Sequence, residues 1–229
     1  MIINQLAIGT EIKFPMGQVF FGNQYATLEN VKNYFVHCKF KRIKQIHSDV
    51  VVATDLNSDD YKIEADAHYT KDKKLGLCIS TADCIPIMGF DAQSGICFAI
   101  HAGWRGVQNK IFEKTILKIL QNSNSSLERM QIFIGPHIQK NSFEIEKHLA
   151  LDLLQTANLQ NELEPSLKAT DKVFVDLNFI VKEQARLIGI NMENIYCEYI
   201  DTKTNANYHS YRRDKENSGR QISFCCLQG

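Results

Sequence analysis

Two histidines and one cysteine have the residue types and positions that a metal site would need. His47 lies in the stretch QIHSD, Cys84 in TADC and His101 in AIHAGWRG, and each falls at the end of a predicted strand or in the adjoining turn. Strand ends can bring together residues that are distant in sequence. Two imidazoles and one thiolate would suit the borderline-soft Zn²⁺ ion.

The same three residues can also be interpreted as core residues. A single His or Cys on a strand is most often packed in the interior, and isolated cysteines behave as small hydrophobic residues. The three positions form neither a CxxC nor an HxxxH pair, which are typical of structural zinc sites. Residue types and spacing by themselves therefore favour packing and leave a metal site as the alternative.

Short apolar runs predict the strands that would position these residues. Residues 75–80, 85–90 and 96–103 are bounded by polar residues and are expected to be adjacent central strands. After Gly106 the apolar residues recur at helical spacing, which predicts a helix that follows a glycine turn. Further helices are predicted over 148–160 and 177–187, and further strands over 131–136, 173–177, 195–200 and 222–226. The pattern predicts a mixed α/β (α+β) chain that forms a single domain, residues 1–229, with a central mixed sheet flanked by helices.

Composition limits the partners that we expect. The 26 basic and 26 acidic residues cancel, so the chain has no net charge to attract nucleic acid or an acidic membrane. Seven cysteines, an odd number, are scattered and do not resemble the framework of a small secreted domain. The N-terminal residues do not have the pattern of a signal peptide, and no apolar stretch is long enough to span a bilayer. We therefore expect a cytoplasmic protein without nucleic-acid or membrane partners.

Several motifs, close together and in order, resemble one known family. They are DAHYT, STADCIPIMGFD, AIHAGWRG, GPHIQKNSFEIE and SYRRDKENSGRQ. The chain is similar to the laccase-domain family, which was once named for polyphenol oxidases, and whose bacterial members are described as purine nucleoside phosphorylases. One branch is described as a peptidoglycan editing factor. Residues 1–44 match the family poorly, which puts the substrate preference in doubt.

The resemblance implies a fold, a ligand set and two reactions. The fold would be related to cysteine hydrolases of the cytotoxic necrotising factor type, and His47, Cys84 and His101 would bind zinc. Three protein ligands leave a fourth position open, as in catalytic zinc sites. The implied reactions are phosphorolysis of adenosine, inosine, guanosine and methylthioadenosine, and deamination of adenosine.

Phosphorolysis requires an anion site, for which arginine is well suited because its planar fork binds phosphate oxygens in pairs. We favour Arg212, in SYRRD, and Arg105, which follows Trp104 close to His101. Arg213 and Arg220 are expected instead to pair with nearby carboxylates and brace the fold. Asp83 adjoins Cys84 and is a candidate for orienting a ligand.

The remaining predictions concern residues without an assigned chemical role and competing functions. Asp176 is predicted to cap a helix, and Cys225 and Cys226 to be packing or tail residues. Copper is the less favoured metal, because one Cys and two His do not supply a multicopper cluster. Two other functions stay open: editing of peptidoglycan precursors with Cys84 as nucleophile and His101 as base, and a zinc-stabilised interaction module. A nucleoside and phosphate are the expected partners, the general acid is unidentified, and a homodimer is left open.

Overall fold

Two mixed β-sheets form the centre of the computed structural model, which describes residues 1–162 and 171–228. In spatial order, the six described strands of the first sheet are β1 (Ile2–Leu6), β2 (Gly9–Phe14), β3 (Gly17–Gly22), β14 (Gln221–Leu227), β7 (Leu75–Thr81) and β4 (Lys39–Arg42). Those of the second sheet are β13 (Ile195–Cys197), β10 (Gln131–Ile134), β8 (Ile85–Asp91), β9 (Ile96–Ala102), β6 (Ala67–Thr70) and β5 (Val51–Ala53). A separate pair joins β11 (Glu144–Glu146) to β12 (Lys172–Phe174).

Helices cover the outer faces of both sheets. They are α1 (Leu28–Tyr34) on the first sheet and α2 (Trp104–Gln108), α3 (Ile111–Gln121), α4 (Lys147–Gln155) and α5 (Leu177–Leu187) on the second. A short further helix, α6 (Tyr211–Asp214), has no buried residue. The prediction for residues 177–187 is confirmed in full, and Asp176 is its N-cap, because the carboxylate accepts a hydrogen bond of 2.9 Å from the backbone N–H of Phe179. None of the described helices has both the length and the apolar character needed to cross a membrane.

Three apolar clusters hold these layers together. Val31 and Phe35, from α1 and its end, pack on the outer face of the first sheet. Side chains such as Phe21 and Leu77 from the first sheet meet residues such as Phe90 from the second in the layer between the sheets. The third cluster lies between the second sheet and helices α2 to α5. Burial on both faces explains why the central strands have continuous apolar runs.

The mixed α+β class is confirmed, with one correction to the predicted single sheet. Strands β8 and β9 are antiparallel neighbours, as expected for two of the three central runs. Strand β7 belongs to the other sheet, where it pairs with β14 and β4. The turn of residues 82–84 carries the chain from one sheet to the other. An apolar run buried on both faces does not specify its hydrogen-bonding partner, so the sequence could not reveal this division.

A second correction concerns the segment after β9. The helix begins at Trp104, so Gly106 lies inside α2 and is not part of a turn before the helix. The break between α2 and α3 occurs at Lys110, whose φ is 56°. Gly106 suits its place because an added Cβ would lie 3.3 Å from the backbone oxygen of Ser48, in the segment that carries His47.

Candidate metal centre

The three predicted ligands converge at one end of the second sheet. His47 follows β4, Cys84 lies in the turn between β7 and β8, and His101 is near the end of β9. The antiparallel register pairs Ile85 with Ala102, which brings Cys84 next to the end of β9. The ligand atoms of the three residues all lie within 4.8 Å of one another. Cys84 Sγ is 4.0 Å from His47 Nε2, and the two imidazole rings meet edge to face with centroids 4.8 Å apart.

This donor set fits a single metal ion. Bonds of about 2.0–2.3 Å to nitrogen and sulfur would place the ligand atoms of a tetrahedral ion roughly 3.3–3.8 Å apart. Small side-chain rotations therefore suffice to close the 4.0 Å separation between Cys84 and His47. His47 and Cys84 also face the cleft described below, which leaves the open side that a catalytic ion requires.

One buried carboxylate organises the two histidines. Asp66 Oδ1 lies 2.8 Å from His101 Nδ1, so the other ring nitrogen of His101 is left for a metal. The same carboxylate accepts hydrogen bonds from the backbone N–H groups of Ile46, His47 and Ser48, and from the Ser48 hydroxyl. These bonds hold His47 in the left-handed region at φ 58°, which is uncommon for a residue with a side chain. Asp66 thereby positions both histidines.

Asp66 was not among the residues predicted to take part in the site. The residue is fully buried and lies just before β6, in the motif DAHYT that contributed to the family resemblance. That motif is the signal that could have pointed to it. Burial tends to raise the pKa of this carboxyl group, but hydrogen bonds from His101 and Ser48 outweigh burial and lower it.

Cys84 and His101 have strongly shifted pKa values. Desolvation opposes thiolate formation, but the charge of His101 and hydrogen bonds from both histidines lower the pKa of Cys84 to about 6. Desolvation likewise opposes protonation of His101, whereas the thiolate and Asp66 raise the pKa of His101 to about 9. The protein therefore favours the thiolate, which is the form of cysteine that binds metals.

Gly103 allows the ligands to approach one another. A Cβ at this position would lie 3.1 Å from both Cys84 Sγ and His47 Cδ2. The close approach, and not an unusual backbone angle, favours glycine here, since φ of Gly103 is −74°.

A cleft of about 760 Å³ opens beside the three ligands. Four cationic side chains line it: Arg105, Arg212, Lys215 and Arg220. Its aromatic lining includes Trp104, Phe143, Tyr61 and Tyr211. The cleft thus combines a metal-ligand group, positive charge and flat apolar surfaces, within the size range of small-molecule sites.

Arg212 and Arg105 are held against aromatic rings. The Arg212 guanidinium carbon is 5.4 Å from the centre of the Phe143 ring, and Nη1 donates to the backbone oxygen of Glu144 at 2.8 Å. The corresponding carbon of Arg105 is 4.4 Å from the centre of the Trp104 ring. Within residues 1–162 and 171–228, neither arginine forms an ion pair with a carboxylate. Both positive charges therefore face the cleft without a neutralising partner in that part of the chain.

The other two arginine predictions have different outcomes. Arg213 braces the fold as predicted, because it pairs with Asp214 at 2.8 Å and donates to the carbonyl oxygens of Thr202 and Tyr208. Arg220 also donates to backbone carbonyl oxygens, those of Ser218 and Gly219, and it lines the cleft. Its described contacts do not include the carboxylate partner that we expected.

Asp83 is directed toward the arginine segment. Its buried carboxylate accepts hydrogen bonds from the Thr202 hydroxyl at 2.7 Å, the Ser210 hydroxyl at 3.1 Å and the backbone N–H of Arg212 at 2.6 Å. Because Asp83 adjoins Cys84, these bonds fix the start of α6 beside the metal ligands. The carboxylate that hydrogen-bonds to a ligand is Asp66.

Fold and site together define a mixed α+β protein whose described residues include one three-ligand group able to hold a metal ion. Residues 22–228 match the model of a family described as multi-copper polyphenol oxidoreductase laccase. The chain therefore belongs to that family, and the resemblance predicted from its motifs is confirmed.

Named relatives and a solved structure extend this finding. A purine nucleoside phosphorylase of Clostridium acetobutylicum is 31% identical over 199 residues, which cover 86% of this chain and 80% of the relative. An adenosine deaminase from an unknown prokaryotic organism is 28% identical over 173 residues, which cover 75% of this chain and 66% of the relative. The crystal structure of the hypothetical protein YfiH from Bacillus licheniformis matches with a TM-score of 0.86, 18% identity and 99% coverage of both chains. At this identity the solved structure supports the fold alone.

Proposed function

We propose that this protein is a zinc-dependent purine nucleoside phosphorylase that also deaminates adenosine. The observation that carries the proposal is the shared cleft: the group of His47, Cys84 and His101 and the side chain of Arg212 line the same cavity. The proposed substrates are adenosine, inosine, guanosine and methylthioadenosine, with phosphate as the second substrate. The names of the two relatives above support both reactions.

Zinc is the metal that best suits the donor set. Two imidazoles and one thiolate with an open side are typical of catalytic zinc. A zinc ion held by these residues would supply Lewis acidity, which can activate water for deamination or polarise a substrate oxygen. Asp66 would keep His101 in the tautomer that presents its free nitrogen to the ion.

The arginines are proposed to hold the phosphate nucleophile. In phosphorolysis a phosphate oxygen forms a bond to ribose C1′ while the bond from C1′ to the purine nitrogen breaks and the base leaves with a proton. Arg212 and Arg105 can offer paired N–H donors to phosphate oxygens. Asp83 fixes the backbone of Arg212, so the guanidinium enters the cleft from a defined position. Flat faces such as those of Phe143 and Tyr211 suit a purine ring.

Metal analysis and product chromatography test the proposal. Parent protein should contain close to one zinc per chain and release adenine from adenosine only when phosphate is present. Cys84→Ala should lose both zinc and turnover. Arg212→Ala should keep zinc and deamination but lose at least tenfold in kcat/KM for phosphate. Arg186→Ala is the matched control, because that arginine pairs with Glu183 on the exposed side of α5 and does not line the cleft.

Other outcomes would redirect the assignment. Parent-like phosphate dependence of adenine release in Arg212→Ala would remove this residue from the phosphate site. Turnover by metal-free protein that is lost on alkylation of Cys84 would instead support hydrolysis with Cys84 as nucleophile, as in precursor editing. Bound copper in stoichiometric amounts, together with oxidation of phenols, would instead support the oxidoreductase activity that the family description names. The described donors do not favour that outcome, since one Cys and two His are too few for a multicopper cluster.

A further inference from the structure

A pair of cysteines lies on the face of the first sheet that packs against α1. Cys38 is in the segment between α1 and β4, and Cys226 is on β14. Their sulfur atoms are 3.3 Å apart, although the residues are 188 positions apart in the chain. Cys226 is buried, whereas Cys38 is only half-buried. Neither residue lines the cleft of the metal centre.

A separate surface cavity of about 200 Å³ gives access to this pair. Cys38, Cys226, Gln18 and Lys74 all line it. The buried Gln18 side chain donates from Nε2 to Cys38 Sγ at 3.5 Å, while its Oε1 has no hydrogen-bond partner among the described residues. The cavity therefore gives a small oxidant a route to the half-buried Cys38 sulfur.

The two thiols differ in ways that suit sequential roles. The hydrogen bond with Cys226 lowers the pKa of Cys38, burial opposes this effect, and the charge of Lys74 lowers the pKa further. The hydrogen bond with Cys38 and burial both raise the pKa of Cys226. The accessible sulfur is therefore the stronger candidate for a thiolate, and the buried one stays a thiol.

We propose that Cys38 and Cys226 form a reversible disulfide when the protein meets hydrogen peroxide. Cys38 is the attacking sulfur and Cys226 the resolving sulfur. A disulfide requires the two sulfurs to approach from 3.3 Å to about 2.05 Å. Side-chain rotation of the half-buried Cys38 can provide this approach, because its segment lies at the surface of the first sheet.

The chemistry proceeds in two steps that balance. In the first, the Cys38 thiolate forms a bond to one peroxide oxygen, the O–O bond breaks, and the departing hydroxide takes up a proton as water, which leaves Cys38 as a sulfenic acid. In the second, Cys226 sulfur bonds to Cys38 sulfur, the S–O bond breaks, and hydroxide leaves with the Cys226 proton as water. The two sulfurs together lose two electrons, and one peroxide becomes two water molecules.

Cys225 provides a matched control on the same strand. Adjacent strand residues point to opposite faces, and Cys225 Sγ lies 3.1 Å from the backbone oxygen of Phe98 in the layer between the sheets. Cys225 is thus one residue from the proposed resolving cysteine but cannot reach Cys38 from its own face. A bond that involves Cys226 and not Cys225 would reflect the native geometry.

The experiment treats the full chain with a small excess of hydrogen peroxide, blocks free thiols with N-ethylmaleimide and digests with trypsin. Cleavage after Lys32, Lys39 and Arg220 gives peptides 33–39 and 221–229, which contain Cys38 and the Cys225/Cys226 pair. We expect a linked peptide in the parent and in Cys225→Ala, but not in Cys38→Ala or Cys226→Ala. Dithiothreitol should remove the link. Cys226→Ala should instead accumulate a Cys38 sulfenic acid that dimedone labels.

A thermal melt supplies an independent measurement. Because the link would close a loop of 188 residues, the oxidised parent should melt about 5–10 °C above the reduced parent, and Cys38→Ala should show no such difference. The proposal is overturned if Cys38 in oxidised parent stays open to N-ethylmaleimide, or if it is driven to the sulfonic acid without a linked peptide. It is equally overturned if the link persists in Cys226→Ala, since that result would place the bond on Cys225.

Discussion

Asp66 and Asp83 are two buried carboxylates that organise different parts of the same site by different means. Asp66 bonds to His101 and to the backbone around His47, so its negative charge supports metal ligands. Among the described residues, the donors to the Asp83 carboxylate are all neutral: two hydroxyls and the backbone N–H of Arg212. Two residues with the same side chain therefore support two different parts of the site, the candidate metal ligands and the proposed phosphate site. Breaking each one separately should separate these roles.

The largest expected effect is the loss of metal in Asp66→Asn. Asparagine replaces one of the two carboxylate oxygens with an NH₂ group, which cannot accept a hydrogen bond. The bond from His101 is lost if this group replaces Oδ1, and the bonds from Ser48 are lost if it replaces Oδ2. Loss of such a partner weakens metal binding by about 10- to 100-fold. Zinc retained after titration with a chelator measures the affinity, and both reactions should fall with zinc occupancy. Parent-like affinity in this variant would mean that His101 is oriented without Asp66.

A third buried carboxylate, Glu198, lacks the set of hydrogen-bond donors that surrounds Asp66 and Asp83. Glu198 is buried, its Oε2 has no hydrogen-bond partner among the described residues, and burial raises its pKa to about 7 despite a hydrogen bond from Thr10. Because the folded state holds this proton more tightly than the unfolded chain, the group's contribution to stability is complete below about pH 4.5 and is lost as pH rises to about 7. The loss should be on the order of 2 kcal/mol.

Urea unfolding of parent and Glu198→Gln between pH 4.5 and 8 checks this expectation. The parent's free energy of unfolding should fall more steeply with rising pH than that of the variant, because glutamine does not titrate. Glu193→Gln, at an exposed position, should keep the parent slope. Equal slopes in parent and Glu198→Gln would show that Glu198 ionises normally.

A smaller effect is expected for Asp83→Asn. The amide can still accept from Thr202, but its nitrogen cannot accept from Ser210 and Arg212, so the start of α6 should loosen. We expect the KM for phosphate to rise about tenfold, equivalent to about 1.4 kcal/mol, with zinc content and phosphate-free deamination close to those of the parent. Loss of zinc in Asp83→Asn would show that Asp83, like Asp66, supports the metal ligands.

The smallest effect is expected for Gly103→Ala. The added methyl group would lie 3.1 Å from Cys84 Sγ and from His47 Cδ2, so both ligands must move by a few tenths of an ångström. Zinc affinity should fall roughly fivefold, which is about 1 kcal/mol. Gly95→Ala has no neighbour within 4 Å of the added Cβ and should leave zinc affinity unchanged, although its φ of 63° costs some stability. An unchanged affinity in Gly103→Ala would show that the ligand group tolerates the methyl.

Local patterns explain what could be predicted. Helix α5 was bounded correctly because an N-cap carboxylate and apolar periodicity both lie within one short segment. The ligand residues could be named because their motifs resemble a family, whereas their spacing alone favoured core packing. The sequence could not show that β7 and β8 belong to different sheets, because a fully apolar strand does not specify the strand with which it pairs.

The sequence by itself determined the mixed α+β class, the ligand types at strand ends, the cap of α5 and the absence of net charge, since each depends on composition or on residues close together in the chain. Only the tertiary structure decided which carboxylate supports which group. Asp66 meets His101 across 35 positions, Asp83 meets Arg212 across 129, and Cys38 meets Cys226 across 188. Contacts over such separations depend on strand register and sheet packing, which arise from the cooperative burial of many side chains and have no signature at any single position.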